Sequence, residues 1–273
     1  MNVVVTTSIR AGAHAEELAK TVAARLGVPY QSRNRTPLPD VLSEAGLAGT
    51  GGVLVVESLG MTVVTYQDNT ELGRLRFHPG MAPIRIQRLE EGGLDHMVEA
   101  MRLSPGDSVL DCTLGLGSDA IVASWVVGEG GAVVGVEASP VVAELVRVGL
   151  QSYNDAREDV LQAMRRIDVV HADSRVYLEA LNGRAFDVVY FDPMFREPVR
   201  SSTGIKPLRR WAVSKPLDRE TIMVAARAAR RFVVVKDRRG GGELERLGIA
   251  TSVGGKGSSV EYGVLPAWEG PFA

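Results

Sequence analysis

A single cysteine, Cys112, excludes an internal disulfide, and the four histidines show no clustered Cys/His ligand spacing that would build a zinc site. No metal is therefore expected. A run of about 18 or more uncharged apolar residues is also missing, which excludes a transmembrane helix. The first residues, Met1 to Ile9, run straight into a β-like stretch without a charged n-region or a small-residue cleavage site, so a cytoplasmic protein is expected. There is no internal repeat and no low-complexity tract, and no heptad or exposed apolar stripe stands out from which an oligomeric state could be read.

What is present suffices for a large core: 273 residues, 45% of them hydrophobic, fit one large α/β domain or a domain with a smaller partner. The net charge of -2 is unevenly distributed. From Arg196 to Arg239 there are 13 Lys/Arg against 4 Asp/Glu, and the rest of the chain holds 18 against 29. A local phosphate-binding face leaves such an asymmetry, although a charge-mixed solvated surface also does.

The β-branched run Asn2 to Ser8 predicts a strand, and Ala13 to Leu26 a helix that stops at Gly27. Thr36 to Gly52 is rich in Gly and Pro. Val53 to Glu57 and Met61 to Tyr66 read as strands, and Arg74 to Leu89 as a connector. This gives a small N-terminal α/β domain, residues 1–89. From residue 90 to 273 strands alternate with helices, the mark of βαβ units. Strands are predicted at Ser108 to Asp111, Ala132 to Glu137, Ile167 to His171, Phe186 to Phe191 and Phe232 to Lys236. Helices are predicted at Gly93 to Met101, Ser118 to Val127, Pro140 to Leu150, Ser174 to Leu181 and Asp218 to Arg230. Ala250 to Leu265 reads as an antiparallel hairpin at the sheet edge. The expected class is α/β, with a mostly parallel sheet.

The sharpest segment is Val109 to Ala120, where an apolar strand enters glycines and then a helix. Glycines there let the backbone turn tightly and approach a ligand. Gly115-x-Gly117-x-x-Ala120 fits the dinucleotide fingerprint, and Glu137 ends the next strand, where an acid would hold ribose hydroxyls, so an NAD-binding oxidoreductase is one reading. Asp111 favours another. A carboxylate just before the glycine turn suits a cationic ligand such as S-adenosylmethionine (SAM), which carries an ammonium and a sulfonium and no phosphate. The plainer alternative is a strand-end carboxylate that caps local N–H groups.

A second constellation is Val188 to Phe195, an apolar strand ending in Asp192-Pro193-Met194-Phe195. At the carboxyl edge of a parallel sheet such residues face the ligand crevice. Asp192 and the Pro193 carbonyl could accept hydrogen bonds from an exocyclic amine, and Phe195 could stack on a base. Taken alone, the tetrapeptide also fits a strand followed by an ordinary proline turn.

In combination, Asp111/Gly115/Gly117, Glu137, Asp173-Ser174 and Asp192 to Phe195 resemble the class I SAM-dependent methyltransferases, a Rossmann-like fold. The tetrapeptide is similar to the motif of enzymes that methylate amino nitrogens of bases. More narrowly, Asp111 to Ala120, His171 to Ser174 and Tyr190 to Phe195 resemble the small-subunit ribosomal RNA guanine-N2 methyltransferases of the RsmJ type and their Gram-positive relatives, over roughly Met81 to Leu265. Arg196 departs from that pattern, where a proline is expected.

The resemblance implies SAM as cofactor, with Asp111, Thr113, Gly115, Gly117, Ser118, Asp119, Glu137, Ala138, Asp173, Ser174 and Asp192 around it, and a catalytic set of Asp192, Pro193, Met194 and Phe195. It implies an RNA partner, which the cations Arg196, Arg200, Lys206, Arg209, Arg210 and Lys215 after the tetrapeptide would suit. Arg85, Arg88, Lys236, Arg238 and Arg239 are candidates to extend that face. DNA, a protein or a small molecule as methyl acceptor is the alternative. His78, His96 and His171 read as turn or packing residues, and Cys112 as a buried small hydrophobe.

Overall fold

The computed structural model describes residues 2–193, 206–213, 215–250, 252–255, 257–268 and 270, which form two compact units. The first comprises Met1–His78 and Pro140–Asp155 together with helix α9 (Lys206–Trp211); the described residues of the remainder form the second.

In the first unit, strands β1 (Val3–Thr7), β2 (Gly51–Glu57), β3 (Gly60–Gln67) and β4 (Thr70–Arg76) form a sheet in that order, with β1 parallel to β2 and the rest antiparallel. The β-branched runs of β1 and β2 are buried on both faces, as continuous apolar strands require. Helices α1 (Ala13–Leu26) and α2 (Leu38–Glu44) pack on them, and α2 contributes Val41 and Leu42 to a core with Val4, Val53, Val55 and Tyr66. Asp68 and Asn69 both adopt the left-handed conformation that a two-residue hairpin turn needs between β3 and β4. Helix α6 (Pro140–Ser152), apolar on nearly every face, packs against β3 in this unit.

The segment Arg74 to Leu89, expected as a connector, instead ends β4 and forms helix α3 (Ala82–Glu90) in the second unit. Strand β4 is mostly exposed, so it shows no apolar alternation to read. Helix α3 starts on Pro83 in its first turn and buries only Ala82 and Ile86, a stripe too thin to register in the pattern.

The second unit is built on a seven-stranded sheet in the order β10 (Ser252–Val253), β11 (Val260–Pro266), β9 (Ala229–Arg238), β8 (Phe186–Phe191), β5 (Ser108–Asp111), β6 (Ala132–Glu137), β7 (Ile167–His171). The pairings are parallel from β9 to β7, and β11 runs antiparallel to both neighbours. This is the mostly parallel sheet with an antiparallel edge hairpin that the sequence predicts. Leu110, Val136, Val189, Phe191, Val233 and Val235 fill its core with Ile222 and Ala225 of α10 (Arg219–Ala228). Strand order reverses between β5 and β8, and ligands of such sheets bind outside the carboxyl ends at that switch point.

Candidate active site at the carboxyl ends of the strands

Strand β5 ends on Asp111, and the chain then turns through Gly115 (φ +52°) and Gly117 (φ +79°) into helix α5 (Ser118–Val127). A side chain at either glycine would sit in the disfavoured left-handed region. Beside Gly115 the space is open: an added Cβ would meet nothing closer than Thr113 O at 3.8 Å, which leaves the backbone accessible to a ligand.

Asp111, only 2% exposed, accepts through Oδ1 from the Thr113 N–H at 2.9 Å and the Thr113 hydroxyl at 3.3 Å. Burial pushes its carboxyl up to about 7, with the nearby charges of Asp119 and Asp192 adding to the rise. Glu137, at the end of β6, accepts from Ser139 N–H at 2.8 Å and Gly115 N–H at 3.1 Å, which ties the two strand ends together. Burial raises it as well. Asp173 follows β7 and caps helix α8 (Ser174–Glu179) by accepting from the N–H groups of Arg175 and Val176. Its other oxygen accepts from Lys215 Nζ at 2.9 Å, and that bond is the first cause holding its carboxyl below the ordinary range.

The β8 end is differently made. The Asp192 N–H donates to Thr113 Oγ1 at 2.6 Å, and Asp192 Oδ2 accepts from Lys236 Nζ at 2.8 Å. Lys236 also donates to Asp119 Oδ2 at 3.1 Å, the oxygen that accepts the Tyr190 hydroxyl at 2.7 Å. Arg85 donates to Asp119 Oδ1, and to both oxygens of Asp95 at 2.7 and 2.9 Å. Burial alone would raise Asp119, but Lys236, Arg85 and the Tyr190 hydroxyl together hold it well below the usual carboxylate range. Asp192 is raised, because burial outweighs its bond to Lys236. The ammonium of Lys236 is held more firmly protonated than an ordinary lysine, since Asp119 and Asp192 outweigh its burial.

The structure thus brings together Asp111, Thr113, Gly115, Glu137 and Asp192, with Asp173 and Ser174 at the end of the adjacent β7. The oxygens of Asp119 are all engaged inside the protein, and Ala138 lies between Glu137 and the buried Ser139. Pro193 is the last described residue of its segment; Met194, Phe195, Arg196 and Arg200 lie outside the described residues, and of Lys206 and Arg209 only the helical backbone is described. Arg210 and Lys215 are exposed. Arg85 and Lys236, candidates for an outer cationic face, point inward. Asp95 lies ten residues from Arg85, and Asp119 and Asp192 come from distant parts of the chain, so no local spacing announces the set. Among the described residues no three His, Cys, Asp or Glu side chains group as metal ligands.

The carboxylates of Asp111 and Glu137, whose partners among the described residues are N–H and hydroxyl groups, suit a cationic, hydroxyl-bearing ligand and oppose a pyrophosphate. The model of the SAM-dependent methyltransferase family called SAM_MT matches residues 44–260. This chain belongs to that family. The methyltransferase is 40% identical to protein YpiP of Bacillus subtilis over 96% of this chain and 98% of the other. It is 31% identical to ribosomal RNA small subunit methyltransferase J of Pseudomonas aeruginosa over 92% and 90%. A crystal structure of a SAM-dependent methyltransferase from Neisseria gonorrhoeae, 19% identical, superposes with a TM-score of 0.66 over 98% of this chain and 97% of that one, which shows the same fold. The methyltransferase therefore uses SAM, and its sheet is the Rossmann-like one of that fold. No described helix is long and apolar enough to cross a membrane.

Proposed function

We propose that this methyltransferase modifies an exocyclic amino group of a nucleobase in RNA, with guanine N2 of small-subunit ribosomal RNA as the leading target. The observation that supports the target chemistry is Asp192, a carboxylate followed by Pro193, fixed by its backbone on Thr113 and by its side chain on Lys236 at the mouth of the glycine turn. An amino N–H donates, so it needs an acceptor there, and both the Asp192 carboxylate and the Pro193 carbonyl supply one. The name of the Pseudomonas aeruginosa relative supports ribosomal RNA as the carrier of that base.

In this reading Asp111 would face the cationic end of SAM, Glu137 would hold the ribose hydroxyls, and Asp173 with Ser174 would flank the adenine, along the open backbone of Gly115, with Gly117 turning the chain into the first turn of α5 at Ser118. Bound SAM supplies an electrophilic methyl carbon, which the amino nitrogen takes as the carbon–sulfur bond breaks. The lone pair of an aromatic amine is delocalised into the ring; hydrogen bonds from its N–H groups to Asp192 and Pro193 favour the pyramidal nitrogen that can attack. Alignment accounts for most of the rest, as well-positioned reactants save about 7–11 kcal/mol. The nitrogen sheds its proton to solvent after the methyl group arrives, so Asp192 orients and need not act as a strong base. A paired base must first be flipped out of its helix. Met194 and Phe195 would complete the pocket by stacking, and Arg196, Arg200, Lys206, Arg209, Arg210 and Lys215 would meet the RNA backbone.

The test is transfer of a labelled methyl group from SAM to ribosomal RNA from a strain lacking the gene, followed by nucleoside analysis. Label in N2-methylguanosine supports the reading. SAM binding without label in RNA would move the acceptor to DNA, a protein or a small molecule, and NAD binding in place of SAM would remove the reading altogether.

A further inference from the structure

We propose that Lys236 is a positioning residue for methyl transfer: it holds Asp192 as an anion with one oxygen occupied, so that the other is aimed at the amino group of the acceptor. The proposal rests on the reading of Asp192 given above and adds a residue to it that carries no recognisable motif.

Register places the two side chains side by side. Across the parallel β8–β9 ladder Phe191 lies opposite Val235, so the next step along both strands sets Asp192 beside Lys236 at the carboxyl edge. After the buried run Val233 to Val235, Lys236 keeps its side chain only 19% exposed, where a phosphate-binding lysine would extend into solvent. Its ammonium bridges Asp192 Oδ2 and Asp119 Oδ2, and Asp119 is itself anchored by Arg85 and the Tyr190 hydroxyl. Rotation of Asp192 would break the bond to an ammonium that cannot follow, because Asp119 holds it from the other side.

The surroundings explain why a cation is needed at that point. Asp192 faces Asp111 and Thr113 from the glycine turn, Asp119 from α5, Arg85 from α3, Tyr190 from its own strand and Lys236 from β9, with Tyr262 of β11 behind Lys236. Arg85 is committed to Asp95 and Asp119, which leaves Lys236, among the described residues, as the cation bonded directly to Asp192. Without it, a half-buried carboxylate next to Asp111 and Asp119 is more easily protonated. A protonated Asp192 would present a donor to an amine that also donates, and the acceptor would lose its alignment.

The test compares wild type with K236M, K236Q and K236R. Single-turnover transfer to ribosomal RNA is followed from about pH 5.5 to 9, SAM affinity is measured by calorimetry, and the Asp192 carboxyl is titrated by carbon-13 NMR. Loss of Lys236 should slow transfer roughly 10- to 100-fold with SAM affinity within about threefold, and should shift the acid limb of the rate and the Asp192 titration to higher pH. K236R should restore most of the rate and return the limb toward wild type. A wild-type rate and limb in K236M or K236Q overturns the proposal, as does an Asp192 titration identical in wild type and K236Q. If K236M does not fold, K236Q and K236R carry the same comparison. Failure of the nucleobase reading looks different: wild type then transfers nothing to RNA, while the carboxyl titration still reports on the Lys236–Asp192 pair.

Discussion

Asp111 and Asp119 flank one glycine turn, both buried and both acidic, and they titrate in opposite directions. Asp111 has the Thr113 N–H and hydroxyl as partners and no cation, and burial pushes it up to about 7. Asp119 has Arg85, Lys236 and the Tyr190 hydroxyl, which hold it well below the usual range although it too is largely buried. The difference separates a carboxylate that the fold has already neutralised from one left without a cation. A ligand with a positive charge relieves Asp111; nothing that binds from outside is needed by Asp119. The family resemblance places both of them around SAM. The structure engages Asp119 with internal cations and leaves Asp111, among the described residues, with N–H and hydroxyl partners.

The largest way to break the comparison is Asp119→Asn. It leaves Arg85 and Lys236 with a neutral partner in a buried setting, and removal of one member of such a network costs about 3–5 kcal/mol of stability. Denaturant unfolding at pH 7 measures it. A loss below about 1 kcal/mol would mean that water already screens the network and that Asp119 is as open as Asp111.

Asp111→Asn should act with the opposite sign on the free protein. The folded carboxyl, at about 7, binds its proton more tightly than the unfolded one, so the folded state loses stability as pH rises from about 4 to 7 and then levels off. The Asn variant escapes that loss. Its free form should be more stable than wild type at pH 8 by as much as about 4 kcal/mol, with the gain vanishing near pH 4. The same variant should lose SAM affinity by about 10- to 100-fold, as one charge-assisted contact is removed. In wild type, SAM should weaken below pH 7 by up to about tenfold per unit, because a proton then competes with the cation. Thermal melts and calorimetry across pH read all three. A variant that is less stable at pH 8 and binds SAM normally would make Asp111 a simple cap for Thr113.

How much of this is visible in the sequence follows the same division. Asp111, the glycine turn, Glu137 and Asp173 each act on backbone a few residues away or at the next strand end, so local spacing reveals them. So do the strands β5 to β9, whose apolar runs are bounded by turn residues. The Arg85–Asp95–Asp119–Lys236–Asp192 network is assembled from helices α3 and α5, the residue that caps the helix His96–Met101, the residue after β8, and strand β9. Its members are isolated charges in the sequence, and only strand order and register bring them together. Arg85 and Lys236 read equally well as surface cations, because a single charge after an apolar run carries no sign of which way it points. Helix α3 was hidden for a related reason: a helix that buries two residues hardly differs in pattern from a connector.

The smallest effect sharpens the comparison at a third carboxylate. Asp173 uses one oxygen to cap α8 and the other to bind Lys215, an exposed pair on the edge of the site. Exposed pairs of this kind contribute about 0–1 kcal/mol, so Lys215→Ala should leave stability almost unchanged. Its effect on SAM depends on what Asp173 does. If Asp173 accepts from the adenine amino group, Lys215 competes for the same oxygen, and its removal should tighten SAM binding by up to about fivefold. The gain should shrink at high salt, since screening weakens the competing Lys215 bond in wild type. A loss of SAM affinity in Lys215→Ala would instead place Lys215 among the groups that support the cofactor. Asp173 would then belong with Asp119, neutralised from within, and Asp111 would be left as the carboxylate that waits for a cation.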